Sequence, residues 1–359
     1  MADLRILTVV GARPQFVKAA PISRAIAARD GIQEILVHTG QHFDPGMSQI
    51  FFDELELEPP RFDLGIHGGG HGEMTGKMLV GLERIMIEER PDLVLVPGDT
   101  NSSLAGALAA AKLEIPIAHL EAGLRSFNRR MPEEINRVLT DHLSTLLLCP
   151  TETGVVNLRR EGIVDGVHNI GDVMYDAARL AAAASGRSRI LDRLGLVERS
   201  YAVATVHREE STESKAALAE IVEFLRRQAR DRIIVFPLHP RTRKRIAEWR
   251  LDLGDILACE PLGYVDMHRL LRSAVAVFTD SGGLQKEAYF HKVPCVTLRS
   301  ETEWVETINA GWNRLWKGPD YAPRQEISAY GDGHAADRAV ELLIDFLKCQ
   351  PRAGSAPSF

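Results

Sequence analysis

The stretch Val277-Phe278-Thr279-Asp280-Ser281-Gly282-Gly283-Leu284-Gln285-Lys286-Glu287 passes from an apolar run through a small polar turn into a helical segment. Small side chains at such a turn let backbone N–H groups approach a ligand closely. A helix N-terminus behind them adds unsatisfied donors and a positive dipole end, so the segment reads as a phosphate or diphosphate cradle. Glu287, about one and a half helical turns further on, is placed to accept hydrogen bonds from sugar hydroxyls. The chain contains neither a G-x-x-x-x-G-K-[ST] nor a G-x-G-x-x-G pattern, so the turn is neither a Walker loop nor the dinucleotide fingerprint. Taken alone, the stretch reads first as an ordinary strand–turn–helix connection.

The rest of the chain repeats that strand–turn–helix pattern. Short β-rich runs at Ile6–Val10, Glu34–His38, Leu93–Pro97, Ile115–His119, Leu146–Cys149, Tyr201–Val206, Ile233–Pro237, Val275–Thr279 and Cys295–Leu298 alternate with amphipathic stretches. The clearest helical stretches are Phe16–Ala28, Gly76–Glu89, Ser103–Leu113, Glu133–Leu147 and Lys215–Arg227. This alternation predicts α/β architecture, with two Rossmann-like domains built on parallel sheets. A length of 359 residues also suits two cores rather than one. The expected first domain spans residues 1–171 and the second 172–334, their strand ends facing a shared cleft. A polar, alanine-rich segment (Ala177 to Glu198) separates the two series. A terminal helix, Ala335–Lys348, is expected to pack back on the first domain, followed by a frayed tail.

Composition excludes several functions. A hydrophobic content of 45% and a charged content of 26% are those of a soluble globular protein. The net charge of −6 argues against general nucleic-acid binding while leaving room for local basic pockets. Cys149, Cys259, Cys295 and Cys349 are scattered without a C-x-x-C pair, which reads as free thiols in a reducing compartment. No apolar stretch approaches the length of a membrane span, and the chain opens on a strand-like run without a signal-peptide pattern. The expected location is cytoplasmic.

Reactive side chains collect at strand ends. Asp99 follows Leu93–Gly98, Glu121 follows Ala118-His119-Leu120, and Glu133 and Glu134 follow Pro132. His207 follows Ala202–Val206, and His239 follows Ile233–Leu238. Carboxylates crowded at one sheet edge raise one another's pKa and can hold or accept a proton near neutral pH. Each residue has a plainer alternative: Asp99 as a turn or cap, one of Glu133 and Glu134 as a helix-N-terminal charge, each histidine as a structural hydrogen-bonder. Metal binding is disfavoured by the absence of H-E-x-x-H or paired Cys/His spacing. The segment His67-Gly68-Gly69-Gly70-His71-Gly72 reads as a mobile loop.

In order and spacing, these residues together resemble the non-hydrolysing UDP-N-acetylglucosamine 2-epimerase family. The resemblance runs from Gly11-Ala12-Arg13-Pro14 and Lys18 through Gly98-Asp99-Thr100, Glu121-Ala122-Gly123-Leu124-Arg125 and Pro132-Glu133-Glu134-Ile135-Asn136-Arg137. It continues through His207-Arg208-Glu209 and Thr279–Glu287 to Tyr330-Gly331-Asp332-Gly333. It implies a glycosyltransferase-B-like fold, a homodimer, a UDP-sugar substrate, and no metal or nicotinamide cofactor. The implied reaction is elimination of UDP to a 2-acetamidoglycal and re-addition on the other face. By resemblance, Asp99, Glu121, Glu133 and His207 form the catalytic group, their individual acid and base roles open. Arg13, Lys18 and Arg137 would neutralise the diphosphate or orient the carboxylates, and His239 would bind substrate. Ser281, Gly282 and Gly283 would hold phosphate, Glu287 the ribose, and Tyr264 would lie near uracil. The rival readings are a UDP-sugar glycosyltransferase of the same architecture and a non-catalytic nucleotide-sugar-binding module.

Three segments depart from the usual UDP-N-acetylglucosamine enzymes: Trp304-Val305, where those carry Arg-Pro; the short connection Arg125–Pro132, with adjacent Arg129 and Arg130; and the glycine-rich Gly70–Gly76. All three look like the subfamily that acts on UDP-2,3-diacetamido-2,3-dideoxyglucuronic acid for lipopolysaccharide O-antigen. A guanidinium from Arg129 or Arg130 paired with the C6 carboxylate is the physical rationale; solvated loop charges are the alternative. A second UDP-sugar activates some family members, and the segment Gln41–Gly46 differs from the usual pattern there.

Overall fold

In the computed structural model, which describes residues 4–41, 54, 55 and 57–349, the chain divides into two compact units: 1–177 with 329–359, and 178–328. The segment His42–Gly46 and the tail Gln350–Phe359 lie outside the described residues.

Seven parallel strands form the sheet of the first unit: β1 (Leu4–Val10), β2 (Ile32–His38), β3 (Phe62–Asp63), β4 (Leu93–Pro97), β5 (Ile117–Leu120), β6 (Leu146–Cys149) and β7 (Val167–Asn169), in the order β3-β2-β1-β4-β5-β6-β7. Its helices are α1 (Arg13–Ala27), α2 (His71–Glu89), α3 (Asn101–Lys112), α4 (Pro132–Leu143) and α5 (Glu152–Arg160). The sheet is buried on both faces, as a parallel sheet must be. Alternation along β4 shows it: Leu93 and Leu95 join one apolar cluster, Val94 and Val96 another. The first cluster also holds Ala336, Ala339, Val340 and Leu343 from the last helix of the chain, Ala335–Cys349.

Helix α6 (Val173–Ala184) carries the chain into the second unit, followed by a 3₁₀ turn and α7 (Ile190–Leu194). Six parallel strands follow: β8 (Tyr201–Thr205), β9 (Ile233–Pro237), β10 (Leu257–Cys259), β11 (Ala276–Thr279), β12 (Cys295–Thr297) and β13 (Asn313–Leu315), in the order β10-β9-β8-β11-β12-β13. The helices are α8 (Glu209–Thr212), α9 (Lys215–Ala229), α10 (Pro240–Trp249), α11 (Tyr264–Ser273), α12 (Gly282–Phe290) and α13 (Val305–Asn309); Ala335–Cys349 in the first unit is α14. Both sheets reverse direction of addition after their first three strands, which puts ligand sites at the carboxyl ends of the flanking strands.

Several expected boundaries differ. The units divide after Ala177 and Ser328 rather than at 171 and 334. The Asp172 N–H donates to the Tyr330 carbonyl at 3.1 Å, and Arg338 Nε donates to the Ile170 carbonyl at 2.8 Å. These bonds tie residues 170–172 and 330–338 into one body. The alanine-rich stretch between the two series is largely helical. Helix α2 begins at His71, not Gly76, so His71 and Gly72 belong to a helix and not to a loop; His71 Nδ1 lies 3.1 Å from Asn101 Nδ2 at the start of α3.

Candidate functional site

The first unit gathers its charged residues where β1, β4 and β5 end. Helix α1 starts at Arg13, and Gln15 fixes that start: its Oε1 accepts from the Gly11 and Ala12 N–H groups, and its Nε2 donates to the Pro97 carbonyl and to Ser103 Oγ. That is the N3 half of a capping box, the N-cap being Ala12 with no side-chain acceptor, and it also ties α1 to the end of β4. One turn further along α1, Lys18 pairs through Nζ with Glu121 Oε2. Burial would lower the Lys18 pKa, but the charges of Glu121, Asp99 and Asp172 outweigh it and raise it above 10.5. Glu121 follows β5 with a φ of 74°, an uncommon conformation for a non-glycine residue. Gly98, at φ 66°, passes so near this pair that an added Cβ would lie 3.2 Å from Lys18 Nζ.

Asp99 belongs to a second ion pair. Arg137 donates through Nε and Nη2 to Asp99 Oδ2 at 2.9 and 2.6 Å, and through Nη1 to Glu134 Oε2 at 2.9 Å. Arg137 thus bridges Asp99 and Glu134. Thr100, not Asp99, caps α3, its side chain accepting from the Ser103 N–H. Of the adjacent glutamates, Glu134 is the structural one. It is 2% exposed and accepts from Ser126 N–H, Ser126 Oγ and Phe127 N–H. Burial would raise its pKa; these donors and Arg137 bring it below 4.5. Glu133 is exposed on the neighbouring face of α4. Glu134 also holds in place the loop that carries Arg129 and Arg130, both exposed.

Behind these turns lies a buried network that sequence reasoning did not anticipate. His119 Nε2 lies 2.9 Å from the Gly98 carbonyl oxygen and Nδ1 2.6 Å from Asp141 Oδ1. Asp141 Oδ2 accepts from the Gly123 N–H at 3.2 Å and pairs with Arg125 Nη1 at 2.7 Å. Burial alone would raise the Asp141 carboxyl, but His119 and Arg125 hold it below 3.8. The network links the turn bearing Asp99 to the turn after Glu121. The only sequence signal was an apolar strand, β5, interrupted by one histidine.

In the second unit the expected residues follow β8, β9 and β11. Asp280, fully buried, accepts from the N–H groups of His207 (3.0 Å) and Arg208 (2.9 Å), and its Oδ1 lies 3.4 Å from His207 Nδ1. In sequence Asp280 is one residue of the small polar turn after β11; in the fold it anchors the turn that presents His207. The ring of His239 lies 5.6 Å from that of His207, centroid to centroid, and its Nδ1 accepts from the Arg241 N–H at the start of α10. Ser281 caps α12, its side chain accepting from the Leu284 N–H, with Gly282 and Gly283 as the first helical residues. An added Cβ at Gly282 would collide with Glu303, whereas one at Gly283 meets nothing within 4 Å. Glu287 is buried on α12, 3.6 Å from His268 Nε2. Tyr264, at the start of α11, packs its ring 4.2 Å from that of His268.

The expected residues therefore fall into two groups. Asp99, Glu121, Lys18 and Arg137 meet in the first unit, with Arg13 at the head of α1. His207, His239, Ser281, Gly282, Gly283 and Glu287 occupy the second. A family model described as UDP-N-acetylglucosamine 2-epimerase matches residues 24–344.

The chain belongs to the UDP-N-acetylglucosamine 2-epimerase family.

Among family relatives, a Pseudomonas aeruginosa protein named UDP-2,3-diacetamido-2,3-dideoxy-D-glucuronate 2-epimerase is 50% identical, the match covering 95% of this chain and 99% of the relative. A Methanococcus maripaludis UDP-N-acetylglucosamine 2-epimerase homolog is 49% identical, with the same coverage. The crystal structure of the Methanocaldococcus jannaschii UDP-GlcNAc 2-epimerase in complex with UDP-GlcNAc and UDP is 41% identical. It superposes with a TM-score of 0.85 over 96% of this chain and 99% of that one. The resemblance read from the sequence motifs is thereby established, and with it the α/β fold of two parallel-sheet domains.

Proposed function

We propose that this protein is a 2-epimerase of a UDP-2-acetamido sugar, acting by elimination and re-addition of UDP. The carrying observation is the pairing of two strand-end carboxylates, each with its own cation: Glu121 with Lys18, Asp99 with Arg137. A base removes the C2 proton while the anomeric C1–O bond breaks, its electron pair leaving on the diphosphate oxygen. C1 and C2 become the double bond of a 2-acetamidoglycal. UDP oxygen then re-adds to C1 and a proton is delivered to C2 from the opposite face. Such chemistry needs acid–base groups able to serve both faces, for which we propose Asp99, Glu121, Glu133 and His207. It also needs donors for the departing diphosphate, for which we propose Ser281, Gly282 and Gly283 with Arg13, and Glu287 for the ribose.

We further propose the 2,3-diacetamido glucuronate as the sugar, feeding lipopolysaccharide O-antigen assembly in the cytoplasm. The 50% identity to the Pseudomonas enzyme supports this, as do the guanidinium groups of Arg129 and Arg130, exposed on a loop clamped by Glu134. A homodimer is proposed on the exposed apolar positions Val80 and Ile87 of α2 and Ile135 and Leu139 of α4, helical pairs spaced to share a face.

Proton NMR in D2O with each UDP-sugar tests the reaction. Deuterium at C2 with a new manno-type anomeric signal is the expected outcome. Binding of both sugars without exchange at C2 would leave the transferase or binding-module reading.

A further inference from the structure

Helix α12 has two ends, and only its N-terminus enters the proposed chemistry. At the other end, Phe290, His291 and Lys292 form one wall of a cavity of about 430 Å³, a size suited to a small ligand. The remaining walls include Arg199, Arg269, Arg272 and Glu198. In the parallel sheet, Arg199, Ser273 and Lys292 directly precede β8, β11 and β12. The cavity is therefore at the amino edge of the sheet, while His207 and Ser281 follow the carboxyl edge.

Four cationic side chains face one carboxylate in this cavity. Glu198 pairs with Arg269 at 2.6 Å, and Lys292 pairs with Glu326, which is not part of the lining. Arg272 is exposed and makes no hydrogen bond or ion pair among the described residues. Arg199 is held in place by its own N–H donating to the Ser273 carbonyl at 2.7 Å and its Nη1 donating to the Ala274 carbonyl at 3.0 Å. With its guanidinium bound to a single main-chain carbonyl, its other N–H groups remain available to an anion.

From the cavity wall a line of side chains runs to the nucleotide-binding end. His291 Nε2 lies 2.7 Å from His268 Nδ1, and His268 Nε2 lies 3.6 Å from Glu287 Oε1. His268 is fully buried. Burial, then the neighbouring His268, keep His291 neutral by lowering its pKa to about 3, so one ring of this pair donates and the other accepts.

We propose that this cavity is a second anion site, taking a phosphorylated small molecule, and that its occupancy is felt at Glu287 through His291 and His268. Two or three phosphate oxygens would replace the solvent around Arg199, Arg269 and Arg272. The link to Glu287 rests on the proposed UDP-binding role of that residue; the anion site itself does not.

The test is calorimetric titration of the full chain with inorganic pyrophosphate, first alone and then with UDP saturating. One binding event that persists under UDP is expected, weakened at least tenfold in Arg272→Glu, an exposed substitution that leaves the core untouched. No binding under UDP, or binding undiminished in Arg272→Glu, overturns the site. Pyrophosphate is further expected to shift the UDP dissociation constant in the unaltered protein and not in His291→Gln. Pyrophosphate binding without any shift in UDP affinity overturns the link alone. If UDP itself does not bind, the functional reading fails, and the titration without UDP still decides the anion site.

Discussion

The Nδ1 of His119 lies 2.6 Å from Oδ1 of Asp141, and both side chains are closed to solvent. Because the other ring nitrogen holds the Gly98 carbonyl, the pair sets the spacing of two turns, one ending in Asp99 and one beginning at Glu121. Removing one member of a buried charged pair leaves the other uncompensated and costs about 3–5 kcal/mol. Asp141→Asn is expected to lose stability of that order in urea denaturation. The same pair gives a sign for pH. The Asp141 carboxyl is lower in the folded protein than its ordinary 3.8, so its contribution is complete above that value. It is lost as pH falls through the lower, folded value. Acid unfolding of the unaltered protein should steepen below pH 3.8, and Asp141→Asn should lack that component.

Lys18→Met tests the first ion pair. The thioether keeps the volume of the stem but leaves Glu121, whose side chain is 9% exposed, without its ammonium partner. An expected loss of about 100-fold in kcat, within the usual span for acid–base groups, should come with a lowered melting temperature, since an unpaired buried carboxylate costs about 3–5 kcal/mol. A change in KM alone would show that Lys18 only binds substrate.

Arg129→Ala combined with Arg130→Ala separates the two candidate sugars. A charge-assisted hydrogen bond contributes about 1.5–3 kcal/mol. The uronate substrate should therefore lose roughly ten- to a hundredfold in kcat/KM while UDP-N-acetylglucosamine is unaffected. Equal losses on both would assign the arginines to the loop rather than to a C6 carboxylate.

The adjacent glycines of α12 should behave oppositely. Gly282→Ala drives a methyl group against the tip of Glu303, which must swing aside and loosen its pairing with Arg299, and should cost up to about 1 kcal/mol of stability. Gly283→Ala meets open space and should gain up to about 1 kcal/mol from helix propensity, yet weaken UDP binding by crowding the diphosphate. Thermal melts and UDP titrations on the two variants measure both effects.

The main strands were legible because each is an apolar run ending in a polar turn; β4, β6 and β9 match their expected limits residue for residue. The strands β7, β10 and β13, of three residues each, are too short to show alternation; β12, equally short, was legible only as part of the longer run Cys295–Leu298. Helix α2 was foreshortened because Gly72 and Gly76 weaken its first turns; packing against α3 and the contact of His71 with Asn101 override that. For the site, residue types at strand ends were readable, but partners were not. Glu133 and Glu134 are neighbours in sequence and point about 100° apart on a helix, and only the tertiary position of the Ser126–Phe127 loop decides which one becomes the clamp. Asp280 and Asp141 were invisible for the same reason: burial of a carboxylate depends on donors far away in sequence.

The return of α14 to the first unit has a consequence for synthesis. Ala336, Ala339, Val340 and Leu343 complete the cluster that includes Ile6, Leu93 and Leu120, so this core lacks part of its filling until the last helix has left the ribosome. The second unit is a continuous segment, 178–328, and all of it is available earlier. The usual order of domain folding on the ribosome, first-made first-folded, is then reversed here: the second unit can finish while the carboxylate-bearing first unit waits for its final piece. A stop codon before residue 335 would leave Asp99, Glu121 and Arg137 translated but without a finished core beneath them.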